Sequence, residues 1–356
     1  MKIKMNVYIA VFGVIAIIII AAALSTLFFN QSTSIKNVSV ANLKNYGPAP
    51  NVQGITAWIN SQPLNISQLK GKVVIVDFWT YSCINCIRSI PHLNAWYNEY
   101  GNDGLVIIGV STPEFQFEHN LTNVQNAVKQ FGIKYPVALD NNYGTWDAYG
   151  NEYWPADYVI DKNGNVRYYS FGEGDYNQTE YVIRELLANA NYTIPANTTN
   201  VPLGVNFSGI STPELYLGYA RERAPIGNAE GFVPNQTVDY NTTAISTNNT
   251  AYFSGSWYNS PDSMIAVNNS KLFLIYKANK VNIVASGTGN TITIKIDGNA
   301  LSQSDLGSDT QLINGKAVAV VNASRLYNIV AAPTYGWHEL EIDAQPGFKI
   351  YTFTFG

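Results

Sequence analysis

Cys83 and Cys86 are the only cysteines of the 356-residue chain, and they stand three positions apart as Cys83-Ile84-Asn85-Cys86. Without a third cysteine there is no disulfide framework to build, and without a second pair no four-thiolate zinc site to complete. Two thiols so spaced suit thiol–disulfide exchange. One attacks a disulfide as thiolate, and the other, held beside it, resolves the mixed disulfide. They also suit a soft metal with His92 as a further donor, so a copper(I)-binding chaperone is a rival reading.

The pair follows the apolar run Val73-Val74-Ile75-Val76-Asp77-Phe78, a buried strand, and Cys86 to about Tyr100 reads as a helix. Cys83 then lies at a helix N-terminus, where unpaired backbone N–H groups and the macrodipole favour an anion. Cys83 is therefore expected to attack. Cys86, one turn further and on the same face, is expected to be more buried and to keep its proton until needed.

Strand and helix signals go on alternating. Leu105–Ser111 and Val137–Leu139 read as strands, Val124–Phe131 and Thr179–Asn189 as helices, and Tyr158–Ile160 pairs with Val166–Tyr169 across an Asn163-Gly164 turn. This predicts an α/β domain over residues 54–195, a mixed central sheet flanked by helices. Residues 196–250 read as a linker and irregular connection rich in Asn and Thr. Residues 251–356 read as an all-β sandwich or jelly roll, with Lys271–Tyr276, Val281–Ala285, Leu326–Val330 and His338–Ile342 among its short strands.

Val7–Phe29 carries no charge and follows Lys2 and Lys4. It is long enough to span a bilayer, so residues 1–30 are expected to anchor the chain, with residues 31–53 as a tether and the remainder outside the cytoplasm. A signal peptide cleaved near Ala21-Ala22-Ala23 is the alternative. Only 13% of residues are charged and the net charge is −4, which argues against nucleic acid as a partner. Recurring Asn-x-Ser/Thr triplets, as at Asn65, Asn177 and Asn268, fit a glycosylated external surface.

The segment Asp77-Phe78-Trp79-Thr80-Tyr81-Ser82-Cys83-Ile84-Asn85-Cys86, with Pro91 beyond it, resembles the thioredoxin superfamily. From Trp79 onward it is more specifically similar to the extracytoplasmic region of DipZ-type proteins. Tyr153-Trp154-Pro155-Ala156-Asp157-Tyr158, Thr212-Pro213-Glu214-Leu215-Tyr216 and the final Phe353-Thr354-Phe355-Gly356 extend that similarity over roughly residues 50–356. The resemblance implies a cis-proline facing the cysteines, at Pro155 rather than the earlier Pro136. It implies a carboxyl beneath them, Asp77, able to take the proton of Cys86. It implies an acidic residue near the pair at Glu114, and a site walled by Trp79, Tyr81 and Trp154. Plainer readings stand beside these: Asp77 as a backbone cap, the aromatics as core packing, and His92 on the helix surface.

The expected function is that of a membrane-anchored, extracytoplasmic thiol:disulfide oxidoreductase, more a reductase than an oxidant, acting on cysteines or disulfides of exported proteins. It calls for no cofactor and no metal. The multi-helix electron-delivering domain of DipZ-type proteins is not found in the sequence, so a separate CcdA-like membrane partner is expected to re-reduce it. A cell-surface glycan-binding protein that uses the β-sandwich is the remaining rival.

Overall fold

The computed structural model describes residues 42–202, 211–242 and 244–356. The expected membrane helix at Val7–Phe29 and the first part of the tether lie outside these residues. Among the described residues no helix is long and apolar enough to cross a membrane.

The uninterrupted apolar run at Val73 becomes β2 (Val73–Trp79), buried at every position, as a strand covered on both faces requires. It pairs in parallel with β3 (Leu105–Ser111), and β3 pairs in parallel with β4 (Val137–Leu139). On its other edge β2 takes β5 (Ala156–Ile160) antiparallel, and β5 takes β6 (Val166–Phe171). With β1 (Ala57–Ile59) beside β4, the sheet order is β1-β4-β3-β2-β5-β6. Side chains alternate between faces along a strand, so β2 feeds two cores. Val73, Ile75 and Trp79 pack with α1 (Ile84–Tyr100), α2 (Leu121–Gln130) and α4 (Tyr176–Asn189). Val74, Val76 and Phe78 pack with Trp146 of α3 (Gly144–Tyr149). Alternation places Asp77 on the first of these faces, the side of the cysteine-bearing helix.

The second unit is all β, with its own core. Its strands are β7 (Leu215–Tyr216), β8 (Thr237–Tyr240), β9 (Ala251–Asn259), β10 (Met264–Ala266), β11 (Ser270–Ser286) and β12 (Asn290–Ile296). There follow β13 (Asn299–Ala300), β14 (Gln311–Ile313), β15 (Lys316–Val321), β16 (Arg325–Ala344) and β17 (Lys349–Phe355). The four short strands read from the sequence at Lys271–Ala285 and Leu326–Ile342 are two long ones, β11 and β16, paired along their length. Their register shifts between Ala278 and Lys280. A shift of this kind bends a strand without ending it, and the break in apolar pattern there marked the bend. The first half of β11 then pairs with β9 and the second half with β17, so one strand serves both ends of the folded sheet.

The sheet also begins earlier than the expected 251. Leu215 and Tyr216 pair with β17, and β8 pairs with β9. Leu217, Ile226 and Tyr240 enter the core. Strands of two and four residues are too short to show a period, so this stretch read as connection.

Candidate redox site

The dithiol sits where β2 ends and α1 begins. Cys83 is the N-cap of α1, with φ −78° and ψ 117°, and its Sγ accepts the Cys86 backbone N–H at 3.4 Å. Both are free thiols, Cys86 1% exposed and Cys83 9%. Facing Cys83 is the Trp154–Pro155 peptide, which is cis as expected, and the Cys83 thiol lies 3.9 Å from the Trp154 carbonyl oxygen. Burial pushes the Cys86 thiol well up, the Cys83 sulfur and Asp77 push it further, and only a Thr80 backbone contact opposes them. Cys86 is thus held protonated, as its place one turn inside the helix predicts.

Asp77 is 1% exposed and neither of its carboxyl oxygens finds a hydrogen-bond donor. Its cross-strand neighbour in the ladder is Asp157, and directly opposed residues share a face. Burial raises the Asp77 carboxyl well above the usual range, and the charge of Asp157 and contact with it raise it further. The Asp157 carboxyl is raised by burial too. Two facing carboxylates would be acceptors without donors, and a single shared proton satisfies both. The backbone-cap reading of Asp77 does not hold, since no backbone N–H reaches it. Tyr135 completes the cluster: it is fully buried, its hydroxyl has no partner, and its surroundings include Asp77, Asp157 and Cys86. Gly109, paired with Asp77 in β3, makes room for this group. A Cβ there would stand 2.9 Å from Trp79 Nε1 and 3.0 Å from the Tyr135 ring.

Glu114 lines the cavity at Cys83, as expected, and a second acid, Glu118, stands beside the dithiol loop. Glu114 turns toward the second unit, where its Oε1 accepts from the Tyr216 hydroxyl at 2.6 Å and from Arg221 at 3.1 Å. Glu118, 1% exposed, instead accepts from the Ser82 hydroxyl, next to Cys83. Its other oxygen accepts the Glu114 and Phe115 N–H groups at 2.5 and 2.9 Å. Burial and then the charge of Glu114 push it up to about 7, against the lowering effect of the Ser82 hydroxyl. Glu118 follows Glu114 by one short turn in Pro113-Glu114-Phe115-Gln116-Phe117-Glu118, and a second acid at that spacing was the available signal. Asp157 had none, because strand register alone opposes it to Asp77.

Of the three expected wall residues, Trp79 is 1% exposed and sealed in the core with both cysteines, so it cannot touch a docked partner. Trp154 does line the cavity at Cys83, its indole N–H held by the Thr112 carbonyl at 3.1 Å. Tyr81 borders the neighbouring cleft. His92 is buried, not on the helix surface, with its ring stacked on Tyr176 at 3.6 Å and 8°.

A mixed sheet carrying a buried dithiol at a helix N-terminus, opposite a cis-proline and above a buried carboxyl, defines a thioredoxin-like thiol–disulfide oxidoreductase. Residues 47–169 match the AhpC/TSA family, and residues 212–356 the thioredoxin like C-terminal domain. The chain is 37% identical over 338 residues to protein DipZ of Mycobacterium tuberculosis, covering 92% of this chain and 46% of that protein. It thus spans about half the length of the DipZ relatives it matches. Thiol-disulfide oxidoreductase ResA of Bacillus thuringiensis is 30% identical over 138 residues, 39% of this chain and 76% of that protein. Among solved structures, a thioredoxin-like protein in the oxidized form aligns with 40% of this chain and 95% of its own, at 29% identity and a TM-score of 0.37. The chain belongs to the thioredoxin-like thiol–disulfide oxidoreductases.

Proposed function

We propose that this protein is a membrane-anchored, extracytoplasmic reductase of disulfides in exported proteins. The Cys83 thiolate attacks a substrate disulfide, forming one S–S bond and releasing one substrate thiolate. The Cys86 sulfur, its proton passed toward the Asp77–Asp157 pair, then attacks Cys83 and releases the second. Two electrons leave the dithiol, and the Cys83–Cys86 disulfide remains.

The direction rests on the resemblance of the Trp79–Cys86 segment to DipZ-type and other membrane-tethered relatives, which are electron donors outside the membrane. The buried Cys86, which keeps its proton until it resolves the mixed disulfide, serves that exchange. The external location rests on the uncharged Val7–Phe29 segment behind Lys2 and Lys4. The similarity to DipZ-type proteins favours a CcdA-like membrane donor for re-reduction, and a jelly-roll reading of the all-β unit.

Reduced full-length protein mixed with an oxidised exported protein should finish as the Cys83–Cys86 disulfide, with substrate thiols free, counted by alkylation and mass. Electron flow from reduced substrate into the disulfide form would contradict the reading.

A further inference from the structure

Cys83 lies under a roof that the all-β unit supplies. The cavity that reaches it, about 220 Å³, is walled by Ser82, Glu152 and Trp154 of the α/β domain and by Glu214, Tyr216 and Arg223 of the all-β unit. Glu214 and Tyr216 come from the run Thr212-Pro213-Glu214-Leu215-Tyr216 at the start of that unit. Pairing of Leu215 and Tyr216 with β17 fixes the run in place. Arg221 pins it to the other domain, donating to the Glu114 carbonyl at 2.5 Å with its guanidinium over the Phe115 ring at 5.0 Å.

Three side chains meet in this cavity with too few protons between them. The Tyr216 hydroxyl lies 2.6 Å from Glu114 Oε1 and 3.2 Å from Glu214 Oε2. A phenol has one proton to donate and two lone pairs with which to accept. Glu114 takes that proton at the shorter distance, and the same oxygen is ion-paired with Arg221 at 3.1 Å. The contact with Glu214 is then complete only when Glu214 carries a proton of its own and donates it to the Tyr216 oxygen. Its surroundings favour that form. Burial raises the Glu214 carboxyl and the charge of Glu114 raises it further, against the Tyr216 hydroxyl, Arg223 and Arg88. Glu114 faces it from the loop after β3, Arg88 from α1 and Arg223 from the loop after β7, while Glu152 lines the same cavity.

Attack by Cys83 on a disulfide drives the electron pair of the broken S–S bond onto the departing sulfur. In open water that charge is hydrated; in an enclosed cavity an unpaired charge is costly. An alkyl thiolate, whose conjugate acid has an ordinary value of about 8.5, is basic enough to take a proton from a carboxyl group. We propose that Glu214 is a catalytic acid of the exchange, contributed by the all-β unit, and that it protonates the substrate sulfur displaced by Cys83. This rests on the reductase reading above and deepens it. The Cys83 thiolate gains one S–S bond to the substrate, the substrate's own S–S bond breaks, and the leaving sulfur departs as a thiol with the Glu214 proton. Glu214 then recovers a proton from solvent. Asp77 and Asp157 serve Cys86, so attack and resolution draw on different acids.

The test uses two small disulfides, one that releases an alkyl thiol and one that releases a weakly basic nitro-aromatic thiol. Both need the same Cys83 thiolate, so the ratio of their second-order rates with the reduced full-length protein cancels its ionisation. The aromatic thiolate leaves without a proton. In the native protein the alkyl-to-aromatic ratio should fall as pH rises and Glu214 ionises. Glu214→Gln, which keeps the size of the side chain and a hydrogen bond to Tyr216, should lower the ratio about a hundredfold at acid pH and make it independent of pH. A native ratio that stays flat with pH would overturn the proposal whether or not the variant folds. So would a Glu214→Gln protein that keeps the native fall, which would assign the acid elsewhere. Equal slowing of both probes in the variant would also overturn it, marking Glu214 as a strut of the roof. A protein inert toward both probes would overturn the reductase reading itself.

Discussion

Asp77 and Asp157 oppose one another across β2 and β5, two carboxyls in direct cross-strand register on the face that carries Cys86. No donor reaches either oxygen of Asp77 or Oδ1 of Asp157. The pair is stable only while it holds a proton, and that proton sits within the electrostatic reach of the resolving thiol. The site therefore treats two acids as one acid–base unit.

Replacing Asp157 by Asn should lower the pH at which Asp77 loses its proton. Burial is the largest cause of the raised Asp77 value, and Asp157 adds to it by charge and contact, so removing Asp157 leaves burial alone. A carboxyl-carbon NMR titration of the two proteins reads the midpoint. A midpoint that rises or stays put in Asp157→Asn would show that the two groups do not share a proton.

Asp77→Asn should slow release of substrate from a preformed mixed disulfide. General-base assistance contributes about a hundredfold or more, and Asp77 is the carboxyl that acts on the buried Cys86 thiol. Stopped-flow measurement on the Cys83-linked peptide gives the rate. An unchanged rate would remove Asp77 from the proton path.

Glu118 should make folding stability fall as the solution becomes more alkaline. Its folded value of about 7 lies above the ordinary 4.5. Its stabilising contribution is then fully present below about pH 4.5 and is lost as pH rises through 7. Urea midpoints of the native protein should decline across that window, and Glu118→Gln should flatten the decline. A native midpoint that rises over the window would contradict this assignment.

Phe115 joins the two units: it is 2% exposed and clusters with Tyr216, Val284 and Tyr351. Phe115→Ala should cost about 3 kcal/mol of stability, the ordinary penalty of a buried Phe→Ala cavity. It should also speed alkylation of Cys83 by a bulky maleimide. Loss of stability with no gain in alkylation would mean that the roof does not depend on this contact.

Much of the redox site was legible because it is local in sequence. The spacing from Asp77 to Cys83, the helix start at Cys83 and the Trp154-Pro155 step each lie within one short segment, and the structure assembles them as expected. What stayed hidden is long-range. Asp157 meets Asp77 through strand register, and Arg221 reaches Glu114 from the other unit. His92 is buried because Tyr176, on α4, stacks over it. Short breaks in apolar pattern near Ala278 read as strand ends, because a bulge and a turn leave the same mark in a sequence. Trp79 shows the converse error: an aromatic near a reactive cysteine reads as a wall, and only burial distinguishes it from core.

The reduction potential of the Cys83–Cys86 couple, read by equilibrating full-length protein in graded dithiothreitol buffers and counting thiols by mass, tests the central claim most directly. The reductase reading predicts about −250 mV or lower, and a value near about −120 mV would make the protein an oxidant and contradict the account.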